Sequence, residues 1–249
     1  MKNHTYGQGQ PVVLLHGFAE LGSVWKYQID FLKEYCQVIV PEWALEKVDM
    51  SSIETIADAV ANFISTHIKE PVVLIGHSMG GYITLALAEK YPALIKRFGF
   101  VHSTAFADSE ERKTNRLKNV ELIKKSGTEA YLRFSVPNLF GEDYKQNHEA
   151  EMDDFIAEVK QLPIETMVDC TLAMMRRPDR IAVLQSSKMP VMFILGTDDK
   201  AVLMADVMKQ IHLPETTYFR LLEGVGHMGM WEAPEKVNQF ILKFIQDIG

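Results

Sequence analysis

Short apolar runs alternate with longer amphipathic stretches along most of the chain, and this alternation limits the folds open to it. Nearly continuous apolar runs are typical of parallel strands that helices cover on both faces. The candidate strands are Pro11–Leu15, Gln37–Val40, Val72–Ile75, Phe98–Val101, Val191–Leu195 and Tyr218–Leu222. The candidate helices between them are Val24–Glu34, Ser52–Lys69, Ser78–Tyr91, Ala201–Ile211 and Pro234–Asp247. The pattern predicts an α/β fold with a doubly wound, mostly parallel sheet of about six strands.

The alternation breaks once, between the fourth and fifth candidate strands. From Ala105 to Lys188 the pattern is helical with charged outer positions, and Pro163 and Pro178 suit the starts of two helices. Roughly eighty residues are too many for a loop between neighbouring strands. We therefore expect a core formed by residues 1–104 and 189–249, with residues 105–188 inserted as a helical cap.

Composition excludes several classes of protein. A chain of 249 residues that is 47% hydrophobic can bury a core without disulfides or metals. Its net charge of -7 argues against binding nucleic acid. The first ten residues lack the apolar segment of a signal peptide, and no run is apolar enough to span a membrane. We expect a cytoplasmic protein with a small-molecule substrate and neither nucleic-acid nor membrane partners, and a homo-oligomer is left open.

The sequence Gly76-His77-Ser78-Met79-Gly80 directly follows a candidate strand and opens a candidate helix. A G-x-S-x-G pattern occurs often by chance, and a glycine-rich turn with a capping serine would also explain it. Its position favours a nucleophile elbow, in which a serine sits in strained backbone at a sharp strand-to-helix turn. Ser78 is therefore the candidate nucleophile.

A serine hydroxyl needs a base, and the base needs an orienting carboxylate. His227 follows the last candidate strand, and Asp198 and Asp199 follow the one before it. Because the carboxyl ends of parallel strands meet at one edge of a sheet, these side chains are expected near Ser78. The chain order of serine, aspartate and histidine is the order expected for hydrolases of this architecture. The amides of Phe18 and Met79 are expected to stabilise the oxyanion.

With these residues together, the chain resembles the α/β-hydrolase superfamily, and among its members the small capped bacterial hydrolases. That group includes carboxylesterases, carbon–carbon bond hydrolases and cofactor-free haloperoxidases. The matching segments are Val13–Phe18, Gly76–Gly81, Gly196–Asp199 and Gly226-His227 with Glu232 and Pro234. The resemblance implies a triad of Ser78, His227 and Asp199, the acid being chosen by its spacing from Gly196. Some members place the acid after the preceding strand, here in the region from His102 to Asp108.

Two departures from the family pattern bear on the substrate pocket. Only ten residues precede Pro11, so we expect the family's extra N-terminal strands to be missing. The loop Pro41–Glu46 lacks glycine, and Trp43 is expected to fill the space there. The side chains expected to contact substrate are Trp43, His102, Ser103 and Met228. No arginine or lysine stands at a recognisable anchor position, so the sequence does not support an anionic substrate.

The leading hypothesis is hydrolysis of a small or medium, mainly apolar carboxylic ester through an acyl-enzyme on Ser78. No cofactor is expected, and the histidines show no metal-ligand spacing. One alternative is lyase or perhydrolase chemistry on the same triad. Another is a ligand-binding protein that retains the hydrolase fold. Turnover of short p-nitrophenyl esters would separate an enzyme from a binding protein.

Overall fold

A seven-stranded sheet organises residues 1–247, the part of the chain that this computed structural model describes. The strands are β1 Asn3–Tyr6, β2 Pro11–Leu15, β3 Gln37–Pro41, β4 Val72–His77, β5 Ile95–Val101, β6 Val191–Gly196 and β7 Thr217–Leu222. Their order in the sheet is β1-β3-β2-β4-β5-β6-β7. Strands β2 to β7 pair in parallel, whereas β1 runs antiparallel to β3. The predicted α/β fold with its six parallel strands is confirmed.

Strand β1 is the part of the sheet that the apolar pattern did not predict. It pairs with β3 from Asn3 opposite Pro41 to Tyr6 opposite Val38. All four of its residues are exposed, in keeping with its place at the edge of the sheet. Short, polar strands are common at sheet edges, where they discourage pairing with other chains. The expectation that the N-terminus adds no strand was therefore wrong.

Helices cover the sheet and fill the segment between β5 and β6. Numbered along the chain, they are α1 Lys26–Leu32, α2 Ile53–His67, α3 Met79–Lys90, α4 Glu110–Ser135, α5 Glu142–Asn147, α6 Glu149–Val159, α7 Ile164–Arg176, α8 Ile181–Ser186, α9 Met204–Val207, α10 Gly229–Glu232 and α11 Pro234–Gln246. No helix within residues 1–247 is long and apolar enough to cross a membrane.

Local sequence signals explain where several helices begin. The Ser52 hydroxyl accepts from the Thr55 amide at 3.1 Å, and the Thr55 hydroxyl accepts from the Ser52 amide at 3.2 Å. This reciprocal capping box starts α2. The predicted helix over Ala201–Ile211 shrinks to α9, because the Asp199 carboxylate binds the Ala201 and Val202 amides and holds that segment in a turn.

The segment between β5 and β6 consists mainly of helices α4 to α8. Helix α4 is interrupted at Gly127, whose φ of 81° lies outside the helical region, and it packs against α7. Pro163 immediately precedes α7, and Pro178 lies three residues before α8. These helices lie beside the edge where the parallel strands end, since Leu139 at their centre accepts from the His227 amide at 2.6 Å. The division of the chain into core and cap domains stays a prediction.

Buried side chains on both faces of the sheet fix the position of this edge. Every residue of β2, β4 and β6 is buried. Trp25, Phe98, Phe100, Phe193 and Phe244 are among the largest side chains with almost no exposure. Because these strands cannot shift without exposing apolar surface, the loops at their carboxyl ends are held rigidly.

Candidate active site

Ser78 lies between β4 and α3 in the conformation predicted for the serine of a nucleophile elbow. Its φ of 48° and ψ of -114° are strained for a residue with a side chain. A Cβ at Gly76 would lie 2.2 Å from the Gly80 carbonyl, and one at Gly80 would lie 2.3 Å from the Leu15 carbonyl oxygen. Only glycine fits at either position, so the G-x-S-x-G spacing reflects the close approach of three backbone segments.

Hydrogen bonds from β5 and the residues after it hold the elbow in place. The Ser78 amide donates to the Val101 carbonyl at 3.0 Å. The Ser103 hydroxyl donates to the Ser78 carbonyl oxygen at 2.7 Å. These bonds fix the backbone of Ser78 and leave its hydroxyl on the wall of a cavity, beside the N-terminus of α3.

His227 and Asp199 meet at the same edge of the sheet. His227 Nδ1 lies 2.9 Å from Asp199 Oδ2. The other carboxylate oxygen, Oδ1, accepts from the amides of Ala201 and Val202, each at 2.8 Å. Since Nδ1 faces the carboxylate, Nε2 is the nitrogen left to act on the cavity side, where His227 and Ser78 both form part of the wall. Within residues 1–247 no direct hydrogen bond joins these two side chains, as is common before substrate binds.

A second imidazole binds the same carboxylate oxygen. His102 Nδ1 lies 3.0 Å from Asp199 Oδ2, and His102 Nε2 accepts from the Gly229 amide at 3.2 Å. Because Nε2 accepts, the proton must reside on Nδ1, so this nitrogen donates to Asp199. His102, Asp199 and His227 carry the ligand types of a metal site. The protonated Nδ1 of His102 cannot coordinate a metal, and its contact with Asp199 has the length of a hydrogen bond.

The electrostatics of this cluster favour a charged Asp199 and a neutral His102. Burial would raise the pKa of Asp199, but the two imidazoles hold it well below its usual range. Burial lowers the pKa of His102 to about 4, in spite of the hydrogen bond to Asp199. Burial also opposes the charged form of His227, yet the Asp199 carboxylate raises the pKa of His227 above its ordinary value. Asp199 is thus arranged to stabilise an imidazolium at His227.

The other two candidate acids lie elsewhere. Asp198 is exposed, and its carboxylate accepts from the Thr197 hydroxyl at 2.9 Å. Asp108 is buried between two arginines, Arg116 and Arg177. The geometry therefore joins His227 to Asp199, the position that the spacing from Gly196 indicates.

A buried pair, Glu20 and His77, binds the backbone of His227. His77 Nδ1 lies 2.8 Å from Glu20 Oε1, and His77 Nε2 lies 2.9 Å from the carbonyl oxygen of His227. Both ring nitrogens thus face acceptors. The Gly17 amide also donates to Glu20. Burial would raise the pKa of Glu20, but His77 and the Gly17 amide lower it below its usual value. Through Glu20, His77 links the loop after β2 to the loop that carries His227.

A cavity of about 180 Å³ opens onto Ser78 and His227. Apolar side chains from the loop after β2, from the segment between β5 and β6 and from the loop after Asp199 form most of its wall. They are Phe18, Ala19, Leu132, Val136, Leu139, Phe155, Met174, Ala201 and Val202. Polar groups come from Glu20, Tyr82, Arg112, Arg116, Tyr131 and Ser135. Met79 begins α3, so its amide is among those that lack an acceptor inside the helix.

The four residues expected to contact substrate have other positions. Trp43 is buried and stacks on His16, with ring centroids 4.4 Å apart. His102 binds Asp199, Ser103 binds the Ser78 carbonyl, and Met228 is fully buried at the start of α10. Within residues 1–247 none of the four belongs to the cavity wall. Their contact with substrate stays a prediction, whereas the side chains that form this cavity come mainly from α4 and the residues after it.

The sequence marks no arginine or lysine as an anchor for substrate, but two arginines line the cavity. Arg112 and Arg116 both reach the cavity from the first turns of α4. In the sequence they belong to the strongly charged stretch 110–118, which reads as a solvated helix face. Their spacing of four residues, which places both on one face of a helix, is the signal that could have marked them.

Comparisons with known proteins agree with this architecture. The sequence profile of the Alpha/beta hydrolase family matches residues 12–240. The chain belongs to the alpha/beta hydrolase family. Membership confirms the predicted family resemblance and the predicted class of enzyme.

Individual relatives are distant. RutD of Serratia proteamaculans, named provisionally as a carbamate hydrolase, is 32% identical over 149 residues, which cover 57% of this chain and 55% of that protein. RutD of Pantoea ananatis, with the same provisional name, is 25% identical over 95% of this chain and 88% of its own length. A thermophilic esterase from Thermogutta terrifontis, solved with malate bound, is 26% identical with a TM-score of 0.91, over 98% of this chain and 92% of that one.

Proposed function

We propose that the protein hydrolyses small carboxylic esters through an acyl-enzyme on Ser78. One arrangement carries the proposal. A serine in strained elbow geometry shares a cavity wall with His227, and Nδ1 of His227 is bound to the buried Asp199 carboxylate. This is the set of roles that covalent catalysis by serine requires. We further propose that the reaction takes place in the cytoplasm and needs no cofactor.

In the proposed reaction, Ser78 Oγ attacks the ester carbonyl carbon while His227 Nε2 takes its proton. The amides of Phe18 and Met79 donate to the oxyanion of the tetrahedral intermediate. His227 then protonates the leaving alcohol as the carbon–oxygen bond breaks, and an acyl ester remains on Ser78. Water, deprotonated by His227, attacks this ester and releases the acid. Asp199 stabilises the imidazolium at each proton transfer, in accord with the raised pKa of His227.

The cavity limits the size of the substrate. Its volume of about 180 Å³ is close to the roughly 150 Å³ of an engineered cavity that accepts benzene. An acyl or alcohol group of about six to ten non-hydrogen atoms would fill it. The names of the relatives, an esterase and provisional carbamate hydrolases, both denote attack on an acyl carbonyl and are compatible with this chemistry.

Two measurements test the proposal. The wild-type protein should cleave p-nitrophenyl acetate or butyrate and should react stoichiometrically with a fluorophosphonate probe. Ser78→Ala should abolish the labelling and lower kcat by about 10⁴-fold or more. Ser135→Ala is the matched control, since this serine lines the same cavity but belongs to the end of α4 and not to the loops that carry Ser78, Asp199 and His227.

The alternatives give different results in the same assays. A binding protein would bind esters without turnover and would resist the probe. Peroxide-dependent bromination or cleavage of a carbon–carbon bond that exceeds ester hydrolysis would favour perhydrolase or lyase chemistry. Stoichiometric labelling of the Ser78→Ala variant would refute the assignment of the nucleophile.

A further inference from the structure

Two guanidinium groups lie in the wall of the cavity that holds Ser78 and His227. Arg112 and Arg116 are four residues apart on α4, so both project from one face of the helix toward the same space. Charged groups rarely line a small apolar cavity unless they are paired or bind a ligand of opposite charge. The partners of each arginine therefore decide what the cavity can accept.

Arg116 already has an acidic partner in the protein. Its Nε donates to Asp108 Oδ2, and its Nη1 contacts the Met174 sulfur at 3.4 Å. Asp108 also forms an ion pair with Arg177, whose Nη1 lies 2.8 Å from Oδ1. One carboxylate thus serves two guanidinium groups and has no charge to spare for a third.

Arg112 has no acidic partner. Its Nη2 donates to the Ala201 carbonyl oxygen, and within residues 1–247 none of the ion pairs includes it. Glu20, whose carboxylate does belong to the cavity wall, is bound by His77 and the Gly17 amide. A guanidinium group has five N–H donors, so Arg112 retains donors for a bound molecule. The cavity therefore has an excess of positive charge at Arg112.

This charge is close to the reacting groups. Ala201, which Arg112 contacts, follows Asp199 by two residues, and its amide donates to Asp199 Oδ1. The Arg112 guanidinium also opposes, as a minor effect, the upward shift of the His227 pKa. A molecule small enough for a cavity of about 180 Å³ can therefore contact Arg112 and Ser78 at the same time.

We propose that the natural substrate carries a carboxylate that binds Arg112 while its ester carbonyl lies at Ser78. The inference rests on the proposed function and narrows its substrate class to short esters with a free acid group. Planar guanidinium groups bind carboxylates through paired hydrogen bonds, which positions a small substrate as well as attracting it. The acid belongs either to the acyl part or to the alcohol part of the ester.

Two pairs of esters distinguish an acid on the acyl part from an acid on the alcohol part. In the first pair, monomethyl glutarate carries a free acid on its acyl part, and dimethyl glutarate carries a neutral methyl ester at the same position. Release of methanol is measured for both. In the second pair, 4-acetoxybutanoate carries the free acid on its alcohol part, and its methyl ester is the neutral equivalent. Release of acetate is measured for both. The wild-type enzyme should show a kcat/KM about 10- to 100-fold higher for the acid than for the neutral ester in at least one pair.

Substitutions at Arg112 test whether this residue causes the preference. Arg112→Gln keeps an N–H donor for the Ala201 carbonyl but removes the charge, so it should lower kcat/KM for the acid about tenfold or more beyond any loss for the neutral ester, which abolishes the preference. Arg112→Lys should retain part of the preference for the acid over the neutral ester. Lys118→Gln is the matched control, because it removes one positive charge from an exposed position on the same helix.

A binding measurement separates failure of this inference from failure of the proposed function. Titration calorimetry with glutarate needs no turnover, and glutarate should bind the wild-type protein but not Arg112→Gln. Ser78-dependent hydrolysis with equal acid preference in wild type and Arg112→Gln would overturn the inference and leave the esterase proposal intact. Arg112-dependent glutarate binding with every ester inert would support the anion site and overturn the esterase proposal. Absence of both preference and binding would end the inference.

Discussion

Replacing Asp199 with asparagine should impair the enzyme through the tautomer of His227. Asp199 accepts four hydrogen bonds, two imidazole N–H groups at Oδ2 and two backbone amides at Oδ1. An asparagine has only one oxygen to offer. The backbone amides of Ala201 and Val202 cannot change their protonation, whereas an imidazole can exchange its tautomer. The asparagine oxygen should therefore face the amides, and its NH₂ group should face the two histidines.

The magnitude follows from this orientation. An NH₂ group beside His227 favours protonation of Nε2, the nitrogen that must accept the Ser78 proton, so kcat should fall by about 10⁴-fold. His102 cannot switch tautomer as easily, because the Gly229 amide donates to its Nε2. Its Nδ1–H is left without an acceptor in a buried site, which should reduce the free energy of unfolding by about 1–3 kcal/mol.

The assay is kcat for p-nitrophenyl butyrate, together with the free energy of unfolding from urea titration. Asp198→Asn is the matched control, and it should cost well under about a hundredfold in kcat because its carboxylate is exposed and binds only a neighbouring hydroxyl. Near-normal turnover in Asp199→Asn, together with an inactive Asp108→Asn, would move the acid to the loop after β5 and refute the assignment.

Two further predictions concern pH. Because Asp199 raises the pKa of His227, kcat/KM should increase with pH through a midpoint above 6.5, and Asp199→Asn should move that midpoint down; a midpoint at or below 6.5 in the wild type would contradict the assigned base. Burial lowers the pKa of His102 from 6.5 to about 4 in the folded protein, so the unfolded chain takes up the proton first as pH falls. The stability due to a neutral His102 should be complete above pH 6.5 and decline by about 3 kcal/mol toward pH 4, while His102→Gln should show a shallower decline in urea titrations across that range.

The sequence predicts the parts of this structure that depend on local rules. Strands β2, β4 and β6 are buried on both faces, so their positions show directly as apolar runs. The elbow shows as glycine spacing, because a side chain at Gly76 or Gly80 would collide with backbone. Asp199 and His227 follow strands that end at the same edge, so topology alone brings them together.

The direction of a side chain after a strand is less accessible from sequence. His102 ends β5 at the same edge, which suggests a place beside the substrate. Its φ of 52° instead turns the imidazole toward Asp199 and Gly229. A positive φ at a histidine is uncommon and leaves no mark in the pattern of apolar residues. The end of β5 thus predicts that His102 lies near the active site, but it does not predict that His102 binds Asp199.

The substrate preference is the least predictable feature, because it depends on pairing between distant segments. Taken alone, the stretch around Arg112 and Arg116 has the composition of an exposed helix. Its meaning changes once α4 lies over the cavity, where Asp108 is shared between Arg116 and Arg177 and Arg112 is left with a backbone carbonyl. An acid paired with Arg112 would instead predict a neutral ester. The catalytic groups follow from strand topology, whereas the expected anionic substrate follows only from counting which charges are already paired.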